Sequence, residues 1–185
     1  MKEDIKVIIL DNAQNLFLKY GVSETGVADI ANAVGISKGT LYYHFKSKNA
    51  IIDAVADRYF ERMDNLFITY LKNAKVILNV GEFVDGIVDI IKNNLETEML
   101  HYVLLAYGVI KYDDLKAKFR VKYNEWLSLI RLGLDKIAKS ENNEVYSRLI
   151  FASIEGMIIR NILGMDNISV DKDKVNMIVK SLVMR

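Results

Sequence analysis

Residues 27–45 read VADIANAVGISKGTLYYHF, two short blocks joined at a glycine, and the spacing within them decides the fold. Val27, Ile30, Ala31 and Val34 recur at i, i+3, i+4 and i+7, which is one apolar face of a helix. Gly35 is placed to end that helix in a left-handed turn. Ile36 is an apolar plug, and Ser37 is a good N-cap for a second helix running to His44 or Phe45. Two short helices joined by a tight turn that contains glycine make the helix-turn-helix pattern. An arbitrary αα-hairpin inside a helical core would share this spacing.

Upstream, Ile5, Ile8, Ile9, Ala13, Leu16, Phe17 and Tyr20 form the apolar stripe of a first helix, and Gly21 follows as its stop. Downstream, Ile51, Val55, Tyr59, Met63, Leu66, Phe67 and Tyr70 mark a longer fourth helix of about six turns. Breaks near Asn79–Gly81, Glu96–Glu98, Tyr112–Asp114 and Ser140–Asn143 separate the helical segments that follow. No strand alternation persists. At average usage a chain of this length would hold roughly nine prolines, and this one has none, which suits long helices and short turns. The expectation is an all-α chain of about nine helices, with a three-helix unit over residues 1–47 and a larger helical body over 48–185.

The formal net charge of the 185 residues is only +1, so attraction to a polyanion must come from a local patch. Residues 38–48 are that patch, with Lys38, Lys46 and Lys48 and no acidic residue. The absence of cysteine excludes disulfides, thiolate metal sites and cysteine nucleophiles, and two histidines are too few for a histidine-rich metal site. No nucleophile motif, carboxylate–histidine spacing or phosphate-cradling glycine loop stands out, so neither an enzyme nor a cofactor is expected. The apolar stretch 99–110 is too short to cross a bilayer, and MKEDIKVIIL is not a signal peptide. A soluble, cytoplasmic protein without a membrane partner is expected.

On the third helix Leu41 and Phe45 share an inward face, which leaves Gly39, Thr40 and Tyr43 opposite, with Lys38, Tyr42 and His44 on the flanks. Such a face suits the DNA major groove. Glycine allows close backbone approach, and threonine offers a hydroxyl and a methyl to base edges. Tyrosine, histidine and lysine can donate to phosphate oxygens. Tyr42 lies nearest the buried edge and could equally be core.

The stretch 27–51, VADIANAVGISKGTLYYHFKSKNAI, resembles the DNA-binding signature of TetR (tetracycline-repressor-type) transcriptional regulators. The matching positions are Ile30-Ala31, Val34-Gly35-Ile36-Ser37, Gly39, Leu41-Tyr42, His44-Phe45 and Lys48, with Leu16-Phe17 and Gly21 in the preceding helix. The resemblance covers about the first 50 residues. It implies a DNA-binding head on an all-α body that dimerises and binds an effector. It puts Lys38, Gly39, Thr40 and Tyr43 at base edges or the adjacent backbone, and Tyr42, His44 and Lys48 on phosphates. The family usually carries Ser or Thr just before the second helix. Here that position is Gly26, and Thr25, one residue earlier, is the candidate replacement.

In the body, residues 144–165 are apolar nearly all round, as expected for a helix covered on both sides. Phe151, Ala152, Ile154, Gly156, Met157 and Ile158, with Ile178 and Leu182 of the last helix, are candidate contacts to a second copy. The alternative is a central core helix in a monomer. Phe67, Tyr70, Phe83, His101, Tyr102, Tyr107 and Trp126 are candidate lining for a small, largely apolar effector, although aromatic residues at helical spacing are more often plain core. The leading expectation is a homodimeric, effector-responsive repressor of operator DNA. An effector-independent architectural or division-linked DNA-binding protein on the same scaffold is the alternative.

Overall fold

The computed structural model describes residues 4–73, 79–165, 169, 171–175 and 177. Among these residues there are eight helices, a further helical stretch at 172–175 and no strand. The first three are α1 (Ile5–Tyr20), α2 (Val27–Val34) and α3 (Lys38–His44). They are followed by α4 (Lys48–Asn73), α5 (Val80–Lys92), α6 (Leu95–Lys111), α7 (Asp113–Ile137) and α8 (Asn143–Ile162). The described residues form two compact units, residues 1–62 with 96–120, and residues 63–95 with 121–185. The division falls inside α4 and α7 and after the first residue of α6.

In the first unit the turn chemistry acts where the sequence places it. Gly21 adopts φ 83° and its amide donates to Phe17 O, closing α1. Gly35 is left-handed at φ 77°, and Ile36 N donates to Ala31 O at 3.0 Å. That six-to-one bond ends α2 and turns the chain within two residues. Ser37 Oγ then accepts from Thr40 N at 3.0 Å, capping α3. Ile9, Ala13, Phe17, Ile30, Ala31 and Leu41 are buried together with Ile51, Ile52 and Val55 of α4. A large apolar side chain stabilises by about 1.5–3 kcal/mol when fully buried. The nine therefore fix the orientation of three helices that are individually too short to be stable.

One break lies elsewhere than the sequence suggests. Glu96–Glu98 falls inside α6, and the chain turns at Asn93–Asn94 instead. Asn94 Nδ2 donates to Ile90 O at 2.7 Å and Asn93 N to Asp89 O at 3.1 Å, which satisfies the last carbonyls of α5. Thr97 and Glu98, polar enough to read as a loop, are instead buried on the inner side of α6. Glu98 Oε2 accepts from Tyr59 OH at 3.5 Å, and Tyr59 OH lies 2.9 Å from His101 Nδ1. Nearby, Tyr112 OH donates to Asp53 Oδ2 at 2.7 Å, and Lys118 bridges Asp53 and Asp57 at 3.3 and 2.8 Å.

The second unit is packed more tightly at two glycines than the sequence indicates. A Cβ on Gly86 would run into the Tyr70 ring, and one on Gly133 into the Phe83 ring. Trp126 Nε1 donates to Asp64 Oδ1 at 2.8 Å, and Lys122 pairs with the other oxygen of Asp64 at 2.7 Å. The buried indole N–H thus has its acceptor. Among the described residues no helix is long and apolar enough to cross a membrane.

Candidate nucleic-acid interface

The outward face of α3 follows from its inward one. Leu41 is fully buried and Phe45 nearly so, and this pins the helix along one side. Lys38, Gly39, Thr40, Tyr42 and Tyr43 are then all exposed, with His44 half-buried. Tyr43 stands out furthest at 77% exposure, and Tyr42 at 45% is surface rather than core. The Tyr43 and His44 rings meet edge-on, with centroids 5.1 Å apart. Two phenols, an imidazole and the Lys38 ammonium therefore lie on one small surface, and all of them can donate to anionic oxygens. Lys46, one residue past the Phe45 anchor, is exposed and extends the same charge.

Lys48 is placed less freely. Its Nζ donates to Ser23 O at 3.1 Å, joining the start of α4 to the α1–α2 loop. Burial lowers the pKa of this ammonium, against the raising pull of the Glu24 and Asp29 carboxylates. Two of its three donor positions remain for another partner. Thr25 is buried, and its hydroxyl donates to Gly21 O at 2.8 Å and to Leu16 O at 3.3 Å. It closes the end of α1 and is not part of the exposed face. Gly26, the N-cap of α2, donates its amide to Asp29 Oδ2 at 2.7 Å. The acidic side chains beside Lys48 escape a sequence reading because their partners lie some twenty positions away.

The seven body residues proposed as pocket lining are divided between the two units. His101, Tyr102 and Tyr107 belong to the first unit, and Phe67, Tyr70, Phe83 and Trp126 to the second. His101 is buried against Tyr59, and burial holds its pKa down at about 4, so it is neutral at ordinary pH. Tyr102 and Tyr107 are half-buried, their rings lying 5.0 Å from His101 and 6.5 Å from Tyr112. Phe83 is buried and stacks on half-buried Tyr70, whose hydroxyl donates to Phe83 O at 3.1 Å. Half-buried Phe67 tilts over the buried Trp126 at 6.5 Å. A cavity of about 520 Å³ lies among α5, the end of α7, α8 and the residues Ser169, Asp171, Lys174 and Val175. Val84, Leu134, Tyr146, Ile150, Ile154 and Met157 give it a mostly apolar wall.

Along α8, Ile154 and Ile158 are buried within their own unit, and Phe151 is half-buried against Tyr123 at 5.1 Å. Ala152 and Gly156 are exposed. They continue a stripe of Val145, Leu149, Ile159 and Leu163, which are 56, 56, 45 and 67% exposed. The steps along this stripe alternate four and three residues, the spacing of a helix-to-helix seam. A Cβ on Gly156 would meet nothing within 4 Å among the described residues beyond its own helix backbone. Ile178 and Leu182 lie outside the described residues.

Residues 9–55 match the family described as bacterial regulatory proteins, tetR family. Over these residues the chain is similar to the tetR family, and its first helices form a tetR-type head. The tetR-type match takes in α2, α3 and the start of α4, the elements that build the exposed face. Two curated relatives share it. The HTH-type transcriptional regulator TtgR of Pseudomonas putida is 34% identical over 64 residues, 35% of this chain and 30% of TtgR. The HTH-type transcriptional repressor KstR2 of Rhodococcus jostii is 42% identical over 62 residues, 34% of this chain and 29% of KstR2. The matched segment thus spans under a third of either relative. The tetR-type fold extends further than the sequence match. A transcriptional regulator (TerR/AcrR family) from Aquifex aeolicus superposes with a TM-score of 0.73 at 19% identity, covering 97% of this chain and 99% of that one.

Proposed function

We propose that this chain is a cytoplasmic, homodimeric transcriptional repressor that binds operator DNA through α3 and not an enzyme. The observation that carries the reading is the exposed surface of Lys38, Gly39, Thr40, Tyr42 and Tyr43 with His44, held outward by buried Leu41 and Phe45. Lys38, Gly39, Thr40 and Tyr43 address base edges and adjacent backbone, while Tyr42, His44 and the spare donors of Lys48 address phosphates. In this division of labour residues 1–47 are the DNA-binding head, and 48–185 are the effector-binding and dimerisation body. The repressor assignment is supported by the name of KstR2 and extends it to this chain.

Helix-turn-helix dimers read two half-sites about one helical turn apart. The uncharged seam of Val145, Leu149, Ala152, Gly156 and Ile159 on α8, with Leu163 at its C-cap, is the proposed contact between copies. Its two small central residues allow close helix approach. The effector is a small, largely apolar molecule, and the cavity of about 520 Å³ beside α8 has the size and lining to take one. Occupancy would favour a dimer whose two α3 helices no longer match the half-site spacing. Linkage then requires operator DNA to weaken effector binding by the same factor.

The test is anisotropy of labelled duplexes recovered from a randomised pool, read for the full chain and for a Tyr43→Ala, Lys46→Ala double variant. The wild type is expected to retain the selected duplexes and the double variant to release them. Wild-type affinity in the double variant would remove α3 from the interface.

A further inference from the structure

Thr40 carries one polar and one apolar branch, and the cap of α3 engages the polar one. Ser37 Oγ accepts from the Thr40 amide at 3.0 Å and lies 2.9 Å from Thr40 Oγ1. The hydroxyl is therefore turned back along the chain toward the cap. On a tetrahedral Cβ the methyl group then points away from that bond, and Thr40 is exposed. The Ser37 contact takes one of the hydroxyl's hydrogen-bonding positions and fixes its direction toward the cap, whereas the methyl is presented with that contact intact. The contact also holds χ1 in one well, so the methyl is preorganised.

The surroundings suit apolar contact at this point. Gly39, the preceding residue, has no side chain, and among the described residues beyond its own helix backbone a Cβ built there would have only Ser37 Oγ nearby, at 3.6 Å. Thr40 and Tyr43 are three residues apart on the same helix face, opposite the buried Leu41. In the major groove a single base presents a methyl group, thymine at its C5 position, and apolar contact with it separates thymine from the other bases.

We propose that Thr40 is a specificity-determining residue that reads a thymine through its methyl group and not through its hydroxyl. This rests on the DNA-binding reading given above and deepens it, naming a base that each half-site must contain.

The experiment uses the full chain and the tightest duplex recovered from a randomised pool. Each thymine is replaced in turn by deoxyuridine, which removes the C5 methyl and leaves every hydrogen-bonding group in place. The wild type is expected to bind about fourfold more weakly at one symmetry-related position per half-site, the value of one buried methyl. Thr40→Val keeps the methyl and removes the hydroxyl, so the thymine-to-uracil ratio persists. Thr40→Ser keeps the hydroxyl and removes the methyl, so the ratio at that position falls to about one. Each ratio is taken within one variant, so any change in folded fraction cancels. Indifference of the wild type to every deoxyuridine would overturn the assignment, as would a ratio lost in Thr40→Val or kept in Thr40→Ser. A pool that yields no bound duplex removes the DNA-binding reading and this inference with it. Enrichment without deoxyuridine sensitivity removes the Thr40 assignment alone.

Discussion

The chain has two histidines, and each sits against a tyrosine, yet the two pairs are opposites. His44 and Tyr43 meet edge-on at 5.1 Å on the outside of α3, with Tyr43 77% exposed. His101 and Tyr59 lie inside the first unit, 2 and 3% exposed, joined by a 2.9 Å contact between the phenol oxygen and Nδ1. The inner pair is buried, and the Tyr59 hydroxyl has both His101 and Glu98 as partners. The outer pair has polar ends turned to solvent, which is what a wet, anionic groove requires. Residue type thus carries little functional information here until its partner is known.

The largest expected effect breaks the inner pair. Buried neutral His101 has a pKa of about 4, against 6.5 unfolded, so the unfolded chain binds more protons in that window. The stability contributed by neutral His101 is complete above about pH 6.5 and is lost as pH falls toward 4, by up to about 3 kcal/mol. Denaturant titration at pH 7 and pH 4.5 should show a steeper acid loss in the wild type than in His101→Gln. Equal acid loss in both would mean that His101 is not the buried neutral group.

The same contrast between a partnered and an open face runs along α8, where buried Ile154 and Ile158 lie behind the exposed Ala152–Gly156 seam. Gly156→Arg should leave the helical circular dichroism spectrum intact, since among the described residues nothing beyond its own helix backbone lies within 4 Å of the new Cβ. Sedimentation should then report monomers, and operator affinity should drop about a hundredfold, the value of coupling two half-sites. A dimer that survives this variant would move the contact off α8.

The outer pair comes next. Tyr43→Ala is expected to shift the melting temperature little, because its ring is exposed, while weakening DNA binding about tenfold. A large stability loss with unchanged binding would make Tyr43 a structural residue after all. The smallest effect belongs to Lys46→Ala, which should reduce the slope of log affinity against log salt by about 0.9 with uniform loss across sequences. A slope equal to that of the wild type would place Lys46 away from phosphate.

Much of the head was legible because its determinants are local. The ends at Gly21 and Gly35, the Ser37 cap and the Leu41 anchor all act within one turn, and the helices fall where those residues put them. Thr25 was misread for the complementary reason. Its partners Leu16 and Gly21 lie across a loop, so a hydroxyl that looked available is consumed in closing α1. The body was legible only as helices. Aromatic and methionine residues at helical spacing give the same signal whether they line a void or fill it, and His101, Phe83 and Trp126 turned out to be packed among partners. The break at Asn93–Asn94 shows the same limit, since buried Thr97 and Glu98 resemble a loop until Tyr59 is beside Glu98.

By itself the sequence determined an all-helical chain, the three short helices of the head and the side of α3 that faces outward. Helix periodicity, glycine stops and caps are properties of neighbours along the chain. The tertiary structure alone decided which polar groups were already spent. It committed Thr25 to α1, tied Lys48 to Ser23, and left neutral His101 inside while His44 stayed at the surface. Those outcomes depend on desolvation and on donors and acceptors distant in sequence, and neither exists until the helices have packed.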